Sequence, residues 1–215
     1  DNKVRCVVLQ SALPKVFCAG ADLKERATMD EAETKTFVTS LRASFAGLAS
    51  LPVPSIAAIE GFAIGGGLEV AMACDMRVAG NNAKMGLAET KLAIIPGAGG
   101  TQRLPRIVGI AKAKELIFTG RVLDATEAES IGLINSKVEA SKAYEKSMEI
   151  ANTIAKNGPI AIQAAKQSIE GGYQLDMADA LKHETECYQI VIPTKDRLEG
   201  LLSFKEKRAA IFKGE

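Results

Sequence analysis

The sequence predicts an α/β fold that passes into a helical C-terminal region, and three observations carry that expectation. Short apolar runs alternate with stretches of helical periodicity in the N-terminal part of the chain. A triple glycine, Gly65-Gly66-Gly67, stands between one such run and a helix. From Asp124 onward helical periodicity dominates.

Val4, Val7, Val8 and Leu9 read as a buried strand from Val4 to Gln10, followed by the turn-rich connection Ser11-Ala12-Leu13-Pro14-Lys15. Small residues fill the next turn, Ala19-Gly20-Ala21-Asp22, ahead of a charged helical stretch from Leu23 to Met29. From Asp30 through Leu48 the residues Phe37, Val38, Leu41, Phe45 and Leu48 recur at helical spacing. Leu51-Pro52-Val53-Pro54 ends that helix, because proline cannot continue it. Ser55-Ile56-Ala57-Ala58-Ile59 is apolar nearly throughout, as a strand covered on both faces is. It leads through Gly61 and the triple glycine into the helix Leu68 to Cys74. Met76-Arg77-Val78-Ala79 suits another short strand, Gly80-Asn81-Asn82 a polar turn, and Lys84 to Glu89 carries the chain toward Ile94-Ile95-Pro96-Gly97.

Asp124-Ala125-Thr126-Glu127 reads as a helix start in which Asp124 accepts from first-turn N–H groups and Glu127 reaches back. Helices are then expected near Tyr144 to Ala155, Pro159 to Glu170, Met177 to Gln189 and Arg197 to Phe212. Residues 1–135 are expected to form the α/β core, with 136–215 a helical region of the same domain.

At 215 residues, 47% hydrophobic and 25% charged, the chain has an ordinary globular composition. A net charge of +1 supplies no strong field for nucleic acid or an anionic membrane, and no apolar run approaches the roughly 20 residues of a bilayer span. Cys6, Cys18, Cys74 and Cys187 show no CxxC pair and no zinc-like grouping with His183, the only histidine, so they read as reduced, mostly packed thiols and no metal site is expected. His183, between Lys182 and Glu184, reads as a surface residue without a catalytic role.

Three adjacent glycines cost backbone entropy and must answer a need. One reading is a tight turn with close helix–strand packing; the other is a set of bare N–H groups at a helix start, held against a ligand where the dipole adds positive charge. Neither Gly65-Gly66-Gly67 nor Gly97-Ala98-Gly99-Gly100 has the GxGxxG spacing, and no GxxxxGK[ST] run exists. Glu69 follows the glycines among Leu68, Val70, Ala71, Met72 and Ala73, where burial would raise its pKa toward neutrality. Glu89 precedes the second glycine-rich segment, so the two acids could share one water. Taken singly, each Glu reads rather as a solvated or ion-paired surface residue, since Glu is seldom fully buried without a partner.

Phe17-Cys18-Ala19-Gly20-Ala21-Asp22-Leu23-Lys24, Gly61-Phe62-Ala63-Ile64-Gly65-Gly66-Gly67-Leu68-Glu69, and Gly86-Leu87-Ala88-Glu89 followed by Ile95-Pro96-Gly97-Ala98-Gly99-Gly100-Thr101-Gln102-Arg103-Leu104 together resemble the enoyl-CoA hydratase/isomerase, or crotonase, family. The likeness runs along nearly the whole chain and implies a spiral of β-β-α units. It implies an oxyanion hole from the backbone amides of Ala21 and Gly66, catalytic acids at Glu69 and Glu89, and a water-positioning amide at Gly97. The implied substrate is a 2-enoyl-CoA or 3-methylglutaconyl-CoA thioester, hydrated with Glu69 mainly as base and Glu89 mainly as proton donor. Coenzyme A then belongs to the substrate, and no separate cofactor is implied.

For the CoA moiety the resemblance implies Ala19 and Ala21 at the adenine and Lys24 at the phosphates, with Tyr188 and Lys207 completing the pocket from a neighbouring subunit. A homotrimer or dimer of trimers, assembled through the C-terminal helices, is implied as well. Cys18 is expected as a pocket-wall thiol, and the helical stretch Thr28 to Leu48 as a candidate wall of the acyl site. The family's opening strands and helix have no counterpart before Val4, so a sheet edge is expected to lie open. The expected location is the mitochondrial matrix, or the cytoplasm of a bacterium. Competing readings are an isomerase of the same family, which needs only one decisive acid, and an AU-rich RNA-binding protein, which the +1 net charge disfavours.

Overall fold

The computed structural model describes residues 3–215. The chain divides into two compact units: the larger holds Val8–Leu51 and Ser55–Met148, the smaller the segment up to Val7, Pro52–Pro54 and Glu149–Glu215.

The sheet-bearing part repeats one pattern. β1 (Val7–Gln10) and β2 (Val16–Cys18) lead to α1 (Leu23–Thr28) and α2 (Glu31–Ala49); β3 (Ser55–Ile59) and β4 (Phe62–Ile64) lead to α3 (Gly66–Ala73). β5 (Met76–Gly80) and β6 (Lys84–Gly86) lead through a 3-10 turn (Glu89–Leu92) to α4 (Gly100–Val108) and α5 (Ile110–Thr119). β7 (Leu123–Asp124), α6 (Ala125–Ser130) and β8 (Ser136–Val138) follow. In each repeat the first strand joins a sheet of order β1-β3-β5-β8 and the second a sheet of order β2-β4-β6-β7. β3 and β5 run parallel with Ile56 opposite Met76 and Ile59 opposite Ala79; β4 and β6 run parallel with Ile64 opposite Gly86. β7 turns antiparallel to β6. This is the β-β-α spiral that the motifs imply.

The apolar runs bury as their pattern demands. β3 is buried at every position, and Ile56, Ile59, Leu68, Met85, Leu87, Leu104, Leu123 and Leu133 are closed off from solvent. Each such side chain stabilises the fold by roughly 1.5–3 kcal/mol. α3 lies within this core, and a buried Arg77 finishes its C-terminus. The guanidinium donates Nη1–H to the Cys74 carbonyl at 2.8 Å and Nε–H to the Leu133 carbonyl at 2.7 Å. Beside it the Asp75 carboxylate accepts from the Ser55 N–H at 2.7 Å.

In the smaller unit α8 (Pro159–Gly172) packs on α9 (Met177–Val191), and α10 (Lys195–Glu206) precedes an extended tail. Asp196 holds that tail by accepting from Lys213 N–H and Gly214 N–H at 2.8 and 2.7 Å. α7 (Ala143–Ala155) starts with its Ala143 N–H on Glu60 Oε1 at 2.9 Å. No helix among the described residues is long and apolar enough to cross a membrane.

Several sequence expectations need correction. The first strand starts at Val7, not Val4, and α10 stops at Glu206, where Lys207 adopts a left-handed φ of 54° as C-cap; the chain to Phe212 is extended. Asp124 does accept from the Glu127 N–H at 2.9 Å, but Glu127 turns to the Arg121 guanidinium instead of reaching back. The complete capping box is at Asp30 and Glu33. His183 is half-buried, its Nε2 3.1 Å from the Gln167 carbonyl, and a methyl on Gly171 would collide with its ring.

Candidate active site

The turn from β4 into α3 is built by glycine because nothing larger fits. Gly65 has φ +56°, and a Cβ on Gly67 would fall 1.9 Å from the Cys18 carbonyl oxygen. The first turn of α3 is thereby pressed against the end of β2. Gly65 N–H donates to the Gly86 carbonyl at 2.8 Å, tying the turn to β6. Gly66 opens α3, where helix geometry provides no acceptor for its N–H, and Gly65 has no side chain to cap it. A Cβ on Gly66 would touch Gly20 Cα at 3.6 Å and Ala21 N at 4.0 Å, so the backbones of Gly66 and Gly20-Ala21 approach closely.

Glu69 lies one turn into α3 and is 2% exposed, so the buried reading of this acid is the correct one. Its Oε1 accepts from Gly100 N–H at 2.7 Å and Ala98 N–H at 2.8 Å. Burial raises its pKa, while those two N–H groups, followed by Arg103 and Arg42, pull it down. Glu89 is half-buried in the 3-10 turn, its Oε1 3.0 Å from where a Cβ on Gly65 would stand. Burial raises its pKa too, its own N–H lowers it, and the charge of Glu69 raises it further. Glu89 Oε2 is buried with no hydrogen-bond partner among the described residues. Such an oxygen calls for a donor from water or a ligand.

Two arginines that the sequence reading passed over hold the turn carrying those amides. Arg42 donates from Nε and Nη2 to the Gly97 carbonyl, both at 3.1 Å, and Arg103 Nη1 donates to the Ala98 carbonyl at 3.0 Å. With the carbonyls of Gly97 and Ala98 held by guanidinium groups, the amides of Ala98 and Gly100 face Glu69. Sequence alone gave no sign of this, since an arginine on a helix surface does not reveal which carbonyl lies above it.

The glycine turn, both acids and this loop line one cavity of about 390 Å³. Ala19, Ala21, Gly66, Glu69, Glu89 and Gly97 all border it. α2, the candidate wall, contributes Phe37, Val38 and Leu41; Arg26 and Lys91 also border it. Lys24 is exposed on α1 and is not part of the lining. Cys18 is not in the lining either, and its carbonyl backs Gly67 instead. Tyr188 on α9 and Lys207 after α10 belong to the smaller unit and are exposed.

A family model described as "Enoyl-CoA hydratase/isomerase" matches residues 1–215. The human protein named "Methylglutaconyl-CoA hydratase, mitochondrial" is 55% identical over the whole chain, which covers 65% of it. The Arabidopsis thaliana "Probable enoyl-CoA hydratase 2, mitochondrial" is also 55% identical over the whole chain, which covers 71% of it. The chain thus spans about two thirds of the length of these curated relatives. The crystal structure of an enoyl-CoA hydratase from Bacillus anthracis superposes with a TM-score of 0.96 at 53% identity, covering 98% of this chain and 82% of that one. Matched end to end by the family model and so closely by these relatives, the chain belongs to the enoyl-CoA hydratase/isomerase family.

Proposed function

We propose that the chain is an acyl-CoA hydratase, a lyase that adds water across the double bond of a 2-enoyl-CoA or 3-methylglutaconyl-CoA thioester. The observation that carries this reading is the convergence of two carboxylates, Glu69 and Glu89, on one largely apolar cavity that the Ala21 and Gly66 backbones also border. When water adds at Cβ, negative charge collects on the thioester oxygen. Two fixed amide donors there stabilise it, each by roughly 3–4 kcal/mol. Glu69, ionised, takes a proton from the water as its oxygen bonds to Cβ, with the Gly97 amide orienting that water. Glu89, whose pKa burial and the neighbouring Glu69 charge both raise, gives its proton to Cα. Its unpartnered buried Oε2 supports a role facing substrate.

The test is loss of enoyl-thioester absorbance with crotonyl-CoA and 3-methylglutaconyl-CoA. Glu69→Gln and Glu89→Gln are each expected to lower kcat by roughly 10²–10⁴-fold while thioester binding persists. A folded protein that leaves both substrates intact, or that loses nothing with one of the two acids, defeats this assignment.

The CoA moiety is assigned to the Ala19 and Ala21 edge, with Lys24 at its phosphates and Tyr188 and Lys207 reaching it from a second copy in a trimer or dimer of trimers. Support for assembly comes from exposed apolar side chains on the C-terminal helices, among them Phe204, Met177, Ile169 and Tyr188. The mitochondrial names of several relatives, beside a relative from Bacillus subtilis, support a mitochondrial matrix or bacterial location.

A further inference from the structure

Glu69 and Glu89 are held in different ways. The Glu69 carboxylate is gripped at its tip by the Ala98 and Gly100 amides. Glu89 has no such grip: its own N–H is the backbone donor that acts on it, and Oε2 has no partner among the described residues. The aim of the Glu89 carboxyl therefore follows from where its backbone stands. That backbone belongs to the 3-10 turn Glu89–Leu92, a form with poorer hydrogen-bond geometry than an α-helix. The turn buries no side chain and has no side-chain cap, and residues 91–95 are all exposed. Its backbone bonds close on itself, Lys91 N–H on the Ala88 carbonyl at 3.1 Å, Ala93 N–H on that of Thr90 at 3.1 Å and Ile94 N–H on that of Glu89 at 3.3 Å. Apolar burial does not hold this segment in place.

The hold comes from α5. The Thr90 hydroxyl donates to the Ile117 carbonyl at 2.7 Å, across 27 positions of sequence. Ile117 lies in the last turn of α5, whose carbonyls have no N–H partner further along the helix. Thr90 thus satisfies an acceptor that the helix end leaves open, and it does so from the position next to Glu89. Beside it the Lys91 stem lies along Gly120, the left-handed cap of α5 with φ 57°, where a Cβ would come 3.0 Å from Lys91 Cε. α5 is itself fixed in the core by Ala113 and Leu116. A core-anchored helix therefore carries an exposed turn.

We propose that Thr90 is a positioning residue for Glu89: its hydrogen bond to Ile117 hangs the 3-10 turn from the end of α5 and sets where the Glu89 carboxyl stands in the cavity. The effect on turnover rests on the hydratase reading; the hold on the turn does not, and the experiment reads the two apart. Thr90→Val keeps the shape and removes the donor, whereas Thr90→Ser keeps the donor. Amide hydrogen exchange of the full chain is compared by mass spectrometry. Thr90→Val is expected to speed exchange in peptides covering residues 89–94 and to leave those from α3 as they were, with Thr90→Ser close to the wild type. Hydration of crotonyl-CoA is followed in parallel. Thr90→Val is expected to lower kcat by roughly 10–100-fold with KM within about twofold, because a displaced proton donor loses its contact with the transition state. In the Glu89→Gln background the same substitution should lower kcat by less than about threefold more, since the group it positions is gone. Thr90→Ser should keep most of the wild-type kcat. An equal fold-loss in both backgrounds, or exchange in the turn that Thr90→Val leaves unchanged, overturns the proposal. A wild type that hydrates neither crotonyl-CoA nor 3-methylglutaconyl-CoA removes the hydratase reading, and the exchange rates then decide alone whether Thr90 holds the turn.

Discussion

At Glu69 the influences on a buried carboxylate oppose one another, and each can be addressed by one substitution. Burial raises its pKa, and the Arg42 charge is among the influences that lower it. A base has to be ionised to accept a proton, so the acidic limb of kcat/KM against pH is expected above the ordinary carboxylate range. Arg42→Met takes away one lowering influence and should move that limb to higher pH; a limb that stays put or moves down would show that Arg42 does not act on Glu69. Stability follows the same shift. With the folded-state pKa raised, the native state holds the proton more tightly, so the stability tied to this group is full below the unfolded pKa of about 4 and is lost as pH rises through the folded value. Glu69→Gln cannot titrate, and urea unfolding should find it gaining on the wild type as pH rises from about 4 to 7. The apolar neighbours of Glu69 hinted at its burial, but the surface position that suits a glutamate taken singly is overturned by its 2% exposure. Arg77, Arg42 and Arg103 were not legible, because what an arginine bonds depends on carbonyls supplied by segments distant in sequence.

Among elements, the long helices could be read from their spacing and the shortest strands could not. β4, β6 and β8 are three residues each, too short for an alternating pattern to register. The end of α10 carried no warning, because a lysine rather than a glycine takes its left-handed cap. The glycine turn was read as either a packing device or a ligand cradle, and the structure gives the two tasks to neighbouring residues: Gly67 packs on β2 and Gly66 borders the cavity. Gly67→Ala therefore tests packing. Its methyl would meet a backbone oxygen that cannot step aside, and denaturant unfolding is expected to show a loss of at least about 2 kcal/mol. A loss below about 0.5 kcal/mol would mean that α3 can slide off the end of β2 at little cost.

For the whole molecule, three ordered motifs made both the family and the fold readable, since each brings its own strand, turn and helix. Assembly rests on surface chemistry. Phe204 is 86% exposed and Met177 74%, fractions that suit side chains covered by another copy. Light scattering is expected to give a mass that is a multiple of 22.7 kDa, and Phe204→Glu to shift it toward that unit value; a wild-type chain that stays at the unit mass at every concentration would rule the association out.

The alternation of strands between the two sheets also bears on how the chain comes together. β3 finds β5 only after β4 and α3 have been laid down, and β5 waits for β8 across β6, β7 and three helices. Neither sheet can zip up from a hairpin, because within each repeat consecutive strands go to different sheets. Every parallel pairing closes a loop at least one supersecondary unit long, a topology that slows the search for the native state. During synthesis, a chain released as far as α3 would carry β3 and β4 with their later partners still unmade, leaving strand edges in want of chaperone cover until the third repeat emerges.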